Sequence, residues 1–178
     1  MNPQIMRFRT DTENFEAVVE RGGDWGGPSP CDGWTAADVL DHVVDTQRAF
    51  LELRGAPVGP RPPGNPPAVW RDHRQVIGSV VDDEELAATE YDGHFGRTSV
   101  ADTLADFYGF DMLVHRWDLA RALGQDVTYD EAELDRIERA LDGFGDALYA
   151  EGVCRPAIDV PVGASRQVRL LGRMGRRA

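Results

Sequence analysis

The sequence lacks lysine altogether, since all 19 of its basic residues are arginine, and it contains only two cysteines. Cys31 and Cys154 are too few for a disulfide scaffold, and they fit a reducing compartment. No apolar run is long enough to span a membrane, and the N-terminus lacks the basic-then-apolar pattern of a signal peptide. These absences predict a cytoplasmic protein that does not act at a membrane.

Acidic residues outnumber basic ones, and the net charge is −12. This balance argues against nucleic acid as a partner, because phosphate binding needs a concentrated basic surface. The basic C-terminal tail, residues 164–178, is a local exception, with five arginines interspersed with Val168, Leu170 and Leu171. The pattern predicts a solvated amphipathic end rather than a nucleic-acid-binding arm.

Nearly all of the chain shows helical rather than strand periodicity. Capping residues and helix breakers predict five helices, which begin near Thr10, at Thr35, near Pro66, at Ser99 and at Asp130. The stretch Thr89–Arg97 predicts a small β-hairpin around Asp92 and Gly93. We therefore expect one all-α domain over residues 1–178, with a core of about 8–150. The predicted architecture is an up-and-down four-helix bundle with an additional short helix and loops.

The fourth predicted helix carries charged residues on its apolar face. At 100° per residue, Asp111, His115 and Asp118 share one stripe with Val100, Leu104, Phe107, Val114 and Ala122. An unpaired carboxylate in a core costs roughly several kcal/mol, so these residues need partners. Asp111 and His115 stand one turn apart and can reach a single metal ion, while Asp118 can add a fourth ligand or orient His115. On its own, this spacing is more typical of a buried ion pair, with Asp118 holding an arginine such as Arg116 or Arg121.

A metal site would need a third ligand from another helix, and three histidines are candidates. His42 lies on a flank of the apolar face of the second helix, His73 lies in the third helix, and His94 lies in the predicted hairpin. Sequence spacing does not choose among them. Cys31, just before the second helix, is the candidate for nucleophilic catalysis, although packing in a tight loop is the more common role of such a residue.

Two motifs resemble a known family. Residues 30–42, with Pro-Cys-Asp-Gly-Trp-Thr followed by Val-Leu-Asp-His, resemble the first motif of actinobacterial proteins in the DinB/YfiT-like superfamily. Residues 111–122, Asp-Met-Leu-Val-His-Arg-Trp-Asp-Leu-Ala-Arg-Ala, resemble the second. The chain is most similar to the group related to the N-terminal domain of mycothiol-dependent maleylpyruvate isomerase. The resemblance implies a four-helix-bundle core and a divalent metal ion held by His42, Asp111 and His115, where Asp111 replaces a glutamate of the isomerase.

Two imidazoles and one carboxylate leave a coordination position open, which is typical of catalytic sites. Zinc is the first choice of metal, and iron(II) or nickel suit the same ligands. We expect the open position to bind a low-molecular-weight thiol, which the resemblance implies is mycothiol. The hypothesis is that its sulfur then adds to an electrophilic small molecule in thiol transfer or isomerisation, with residues 89–97 helping to form the pocket. The alternatives are a metal-dependent hydrolase and a non-catalytic module that binds metal or a small ligand. The sequence determines neither the substrate nor the oligomeric state, and a homodimer is one option.

Overall fold

The computed structural model describes residues 2–93, 96–150 and 153–178. It divides into two compact units, Met1–Asp126 and Val127–Ala178. The single domain expected over residues 1–178 stays a prediction. No helix of the described residues is long and apolar enough to cross a membrane.

The first unit is helical apart from one small hairpin. Its elements are α1 (Pro3–Arg21), α2 (Ala36–Leu53), α3 (Pro66–Val81), α4 (Glu84–Ala88), β1 (Glu90–Gly93), β2 (Gly96–Ser99), α5 (Val100–Thr103), a π-helical turn (Leu104–Tyr108) and α6 (Gly109–Ala122). Both α3 and α6 pack against α1 and α2, which makes these four helices the bundle. The all-α fold class and the four-helix bundle with an additional short helix are confirmed.

Side-chain caps fix most helix starts where the sequence predicts them. At the start of α2, the Thr35 hydroxyl accepts a hydrogen bond from the backbone N–H of Asp38, whose carboxylate accepts one from the N–H of Thr35. Such a reciprocal pair satisfies backbone donors that the first helical turn leaves without partners. The Ser99 hydroxyl likewise caps α5 by accepting from the N–H of Asp102.

The first helix begins seven residues earlier than its predicted start near Thr10, and that prediction is wrong. Asn2 caps α1 by accepting from the N–H of Gln4, and Pro3 occupies the first turn, where its missing N–H costs nothing. The Thr10 hydroxyl instead donates to the carbonyl of Met6, one turn back within the helix. Thr10 therefore lies in the helix interior.

The predicted hairpin is confirmed in its strands. β1 and β2 pair antiparallel, with Asp92 opposite Arg97 and Gly93 opposite Gly96. His94, the histidine predicted to lie in this hairpin, falls outside the described residues.

A π-helical turn separates α5 from α6, and it changes which residues face the core. Val100 and Leu104 are buried, as the helical wheel predicts, but Phe107 is 52% exposed. The wide turn holds more residues than a regular α-helical turn, so a wheel drawn at 100° per residue loses its register there. The prediction that Phe107 lies on the buried stripe is therefore wrong.

The second unit contains α7 (Glu131–Phe144), a 3₁₀ turn (Gly145–Tyr149) and α8 (Arg166–Arg173). Asp130 caps α7 as predicted, in a reciprocal pair with Glu133. Arg166 at the start of α8 forms ion pairs with three carboxylates of α7, those of Glu131, Asp135 and Glu138. The tail is amphipathic, but it is packed rather than solvated, because residues 170–172 and 174–176 are buried.

Candidate metal centre

Two bundle helices bring His42, Asp111 and His115 together. His42 lies in the second turn of α2, and Asp111 and His115 lie one turn apart on α6, the helix that packs against α2. Nε2 of His42 is 3.5 Å from Oδ1 of Asp111, and Nε2 of His115 is 3.4 Å from the same oxygen. One donor atom from each residue lies within 4.8 Å of the other two.

These separations fit metal ligands better than direct hydrogen bonds. Hydrogen bonds between nitrogen and oxygen are usually about 2.7–3.2 Å long. Two ligands of a tetrahedral zinc ion, each about 2.0–2.1 Å from it, are about 3.3–3.4 Å apart. The Asp111 oxygen is 3.4 and 3.5 Å from the two imidazole nitrogens. The donor set and its spacing therefore suit a divalent ion.

Asp111 and His115 each favour the charged form of the other. Burial opposes ionisation of Asp111, yet the neighbouring imidazoles of His115 and His42 lower the pKa of this carboxyl well below its ordinary value. Burial also disfavours the charged form of His115, but Asp111 and Asp118 raise the pKa of this imidazole well above its ordinary value. A divalent ion bound here would take the place of the proton that His115 otherwise keeps.

Asp118 fixes the orientation of the His115 ring. Its side chain has 0% exposure, and its Oδ2 lies 2.9 Å from Nδ1 of His115. With Nδ1–H donating to this carboxylate, the lone pair of neutral His115 lies on Nε2, which faces His42 and Asp111. Of the two arginines considered as partners for Asp118, Arg121 pairs with Asp126 instead.

The loop before α2 places Cys31 and Trp34 next to the candidate ligands. The backbone N–H of Trp34 donates to the carbonyl of Cys31, and the N–H of Ser29 donates to the carbonyl of Trp34. Sγ of Cys31 lies 3.5 Å from Oδ2 of Asp118. The ring of Trp34 lies 5.0 Å from that of His42 and 6.1 Å from that of His115. Both residues stand in the first motif, but nothing in the sequence indicates that they contact α6.

Glycines allow this loop to approach the end of α6. A Cβ atom on Gly27 would lie 2.4 Å from the carbonyl oxygen of Ala122, and one on Gly23 would lie 2.4 Å from that of Leu123. Gly23 also has a φ of +150°, which side-chain-bearing residues rarely adopt. The glycine-rich loop, residues 22–33, therefore makes the close contact that places Cys31 against α6.

His73 does not join the site. It is buried in α3, where its Nε2 lies 3.0 Å from Oε1 of Gln47 and its ring packs 5.8 Å from that of Trp70. Burial, followed by the nearby charges of Arg48 and Arg61, lowers the pKa of His73 to about 3. His73 is thus a neutral core residue and not a ligand of this site.

Aromatic rings connect the hairpin to the neighbourhood of Asp111. Tyr91 of β1 packs 6.1 Å from Phe50, and Phe50 packs 5.0 Å from Tyr108. Burial, together with the charge of Asp111, raises the pKa of Tyr108 to about 12, so its phenol stays protonated. The three rings form an apolar surface on this side of the site. That residues 89–97 help to form a substrate pocket stays a prediction.

Residues 8–120 match the family described as the mycothiol maleylpyruvate isomerase N-terminal domain. The chain belongs to this family. The match spans every ligand candidate of the site, from Cys31 through Asp118, and it confirms the resemblance seen in the two motifs. Two uncharacterized proteins of Mycobacterium tuberculosis, from strains CDC 1551 / Oshkosh and ATCC 25618 / H37Rv, are each 30% identical over 152 residues, which cover 80% of this chain and 81% of theirs. No solved structure matches the chain.

Proposed function

We propose that this member of the mycothiol maleylpyruvate isomerase N-terminal domain family is a divalent-metal-dependent enzyme that activates a low-molecular-weight thiol, mycothiol by the family's description. The thiol would be transferred to an electrophilic small molecule or would assist its isomerisation. The observation that carries the proposal is the convergence of His42, Asp111 and His115 at ligand spacing.

The ligand count supports a site that accepts a further ligand. Structural zinc sites usually have four protein ligands, whereas three protein ligands and one open position are typical of catalytic zinc. Zinc is our first choice of metal, and iron(II) or nickel suit the same two imidazoles and one carboxylate. The three ligands together carry one negative charge, so a bound divalent ion would keep one positive charge and favour an anionic fourth ligand such as a thiolate.

A divalent ion held here would supply the positive charge that lowers the pKa of a coordinated thiol. The protein contributes the geometry around that thiol. Asp118 keeps the proton of His115 on Nδ1, and Trp34 covers the His42 and His115 rings. The thiol proton leaves to solvent, and the sulfur bonds to a carbon of the electrophile while a leaving group departs from that carbon or, at a conjugated double bond, the π electrons move onto the neighbouring carbonyl as an enolate. In isomerisation, the former double bond is a single bond in this adduct and can rotate. Expulsion of the thiolate then re-forms the double bond, and the thiolate takes up a proton from solvent.

The test uses the whole chain loaded with zinc, mycothiol and an alkylating electrophile, with the adduct measured by mass spectrometry. We expect adduct formation well above the uncatalysed rate, and a return to that rate in His42→Ala. Asp41→Ala is the matched control, because Asp41 is the neighbouring residue on α2 and pairs with Arg61 on the exposed side. Equal adduct rates in the wild type and His42→Ala would overturn the proposal.

The same preparation distinguishes the two alternatives. Turnover of esters or amides without added thiol would identify a metal-dependent hydrolase, in which the ion activates water. Binding of metal or thiol without turnover of any electrophile would identify a non-catalytic binding module. A cytoplasmic location and a homodimeric state stay predictions.

A further inference from the structure

The imidazole of His115 lies between two groups of candidate ligands. On its Nε2 side are His42 and Asp111, the ligands of the proposed metal centre. On its Nδ1 side are Cys31 and Asp118, and one donor atom each from Cys31, Asp118 and His115 lies within 4.8 Å of the other two. The second group contains a thiol, which the first group lacks.

The spacing of the second group is close to that of a coordination sphere. Sγ of Cys31 lies 3.5 Å from Oδ2 of Asp118. A sulfur about 2.3 Å and an oxygen about 2.1 Å from a tetrahedral ion are about 3.6 Å apart. Nδ1 of His115 lies 2.9 Å from the same oxygen, which is a hydrogen-bond length. An ion bound between the three atoms would replace this hydrogen bond and lengthen the separation to about 3.3–3.4 Å.

The loop holds the thiol at this point. The N–H of Cys31 donates to the Ser29 hydroxyl at 3.1 Å, and its carbonyl accepts from the N–H of Trp34 at 3.1 Å. Two backbone hydrogen bonds on one residue restrict the direction of its side chain. Cys31 is also only partly buried, so it is not enclosed in the core of the bundle.

Charge balance favours a divalent ion in the second group. A thiolate from Cys31 and the carboxylate of Asp118 carry two negative charges, so a divalent ion bound by them forms a neutral assembly with neutral His115. A neutral assembly suits this position, because Asp118 has 0% exposure and an unbalanced buried charge is costly. Thiolate ligands select soft ions, whereas the first group, with imidazole and carboxylate alone, suits borderline ions.

We propose that Cys31, Asp118 and Nδ1 of His115 form a second metal site, which is selective for thiophilic divalent ions such as cadmium. An ion bound at this second site prevents metal binding at the first centre. A neutral imidazole has one lone pair, and its other nitrogen carries a proton. His115 therefore coordinates through Nε2 or through Nδ1, but not through both. When a thiophilic ion binds at Cys31, the thiol proton leaves to solvent, the His115 proton moves to the Nε2 side, and the first centre loses one of its three ligands.

The test is a titration of the metal-free full chain with cadmium chloride, followed by the sulfur-to-cadmium charge-transfer absorption in the ultraviolet. We expect this absorption to saturate at one ion per chain. Cys31→Ser should lose it and bind cadmium about tenfold or more weakly, because the soft ligand is gone. Cys154→Ser is the matched control, since it removes the other cysteine, and it should behave as the wild type does.

His42→Ala separates this proposal from the thiol-activating function. That variant removes a ligand of the first centre only, so it should keep the cadmium absorption while losing zinc. A further measurement takes zinc-loaded protein, adds cadmium, removes free ions and counts the bound metal, which should remain one ion per chain. Absorption that persists in Cys31→Ser, or that disappears in His42→Ala, would overturn the second site. Two bound ions per chain would overturn the mutual exclusion.

Discussion

Nδ1 of His115 lies 2.9 Å from Oδ2 of Asp118, a carboxylate that the fold removes completely from solvent. The two residues stand three apart on α6, so the helix itself sets their approach. Because Asp118 accepts the Nδ1 proton, the opposite nitrogen of His115 is the one presented to His42 and Asp111. The metal centre proposed here depends on that choice of tautomer.

Replacing Asp118 with asparagine tests whether metal binding depends on this hydrogen bond to His115. Asp118→Asn keeps the shape of the side chain but removes the charge that makes His115 a stronger ligand. We expect zinc affinity to fall roughly 10–100-fold, the range found when a hydrogen-bond partner of a ligand is changed. Competition with a chromophoric chelator measures the affinity, and the far-ultraviolet circular dichroism spectrum checks that the bundle has folded. Unchanged affinity in a folded variant would contradict this role.

Replacing Asp111 with asparagine tests the carboxylate ligand itself. Asp111→Asn removes the only anionic ligand of the first centre, so we expect metal content after dialysis to fall to background, measured by elemental analysis. Asp41→Asn is the same substitution on an exposed residue of α2 that pairs with Arg61, and it should keep full metal content. Equal metal content in the two variants would show that Asp111 is not a ligand.

Trp34 should report on occupancy of the site. Its ring lies 5.0 Å from that of His42, and nickel quenches indole fluorescence over such short distances. We expect nickel to quench part of the tryptophan emission with a saturating curve, and Trp34→Phe to lose most of that quenching. Trp25→Phe removes a different tryptophan of the same glycine-rich loop and should retain it. Undiminished quenching in Trp34→Phe would place the bound ion elsewhere.

His73 should make the fold sensitive to acid. Burial lowers its folded-state pKa from 6.5 to about 3, so between these values the unfolded chain takes up a proton that the folded chain does not. The stability from neutral His73 is fully present above pH 6.5 and is lost as the pH falls towards 3, by at most about 1.4 kcal/mol per pH unit. Urea unfolding between pH 6.5 and 4.5 should give a shallower pH dependence for His73→Leu than for the wild type.

The His73→Leu variant should also be less stable at neutral pH, because Oε1 of Gln47 loses its hydrogen-bond donor. That cost is about 1–3 kcal/mol for a buried polar group, and it does not change with pH. The slope of the unfolding free energy against pH, and not its value at one pH, is therefore the quantity that tests the role of His73. Identical slopes in the two proteins would mean that His73 is not the residue responsible for the acid sensitivity.

The parts of the fold that the sequence predicted are those that depend on neighbouring residues. The caps at Thr35, Ser99 and Asp130 each pair with a residue three positions later, and a short motif contains all that such a cap needs. The predicted start of α1 was wrong because two capping patterns compete near the N-terminus. The pattern at Thr10 lies closer to the apolar residues of the helix than the pattern at Asn2 and Pro3, which is the one that caps it.

The site was predictable to the extent that its ligands lie on one helix. Asp111, His115 and Asp118 follow from helical spacing, whereas the choice of His42 over His73 came from a family motif. Contacts across the bundle carry no local signal: Cys31 and Asp118 are 87 positions apart, and their approach depends on how the glycine-rich loop packs against α6. The exposure of Phe107 depends on the π-helical turn, which the apolar pattern does not reveal.

The π-helical turn, Leu104–Tyr108, sets the rotational register between the two halves of one continuous helical stretch. It ends three residues before Asp111. Because the turn holds more residues than a regular turn, winding the same residues as a regular α-helix would rotate the first half of the helix by up to about 100° against the second. Either Val100 and Leu104 would leave the core, or Asp111 and His115 would swing away from His42. The orientation of Asp111 and His115 towards His42 therefore depends on the winding of the backbone before them as well as on their own side chains.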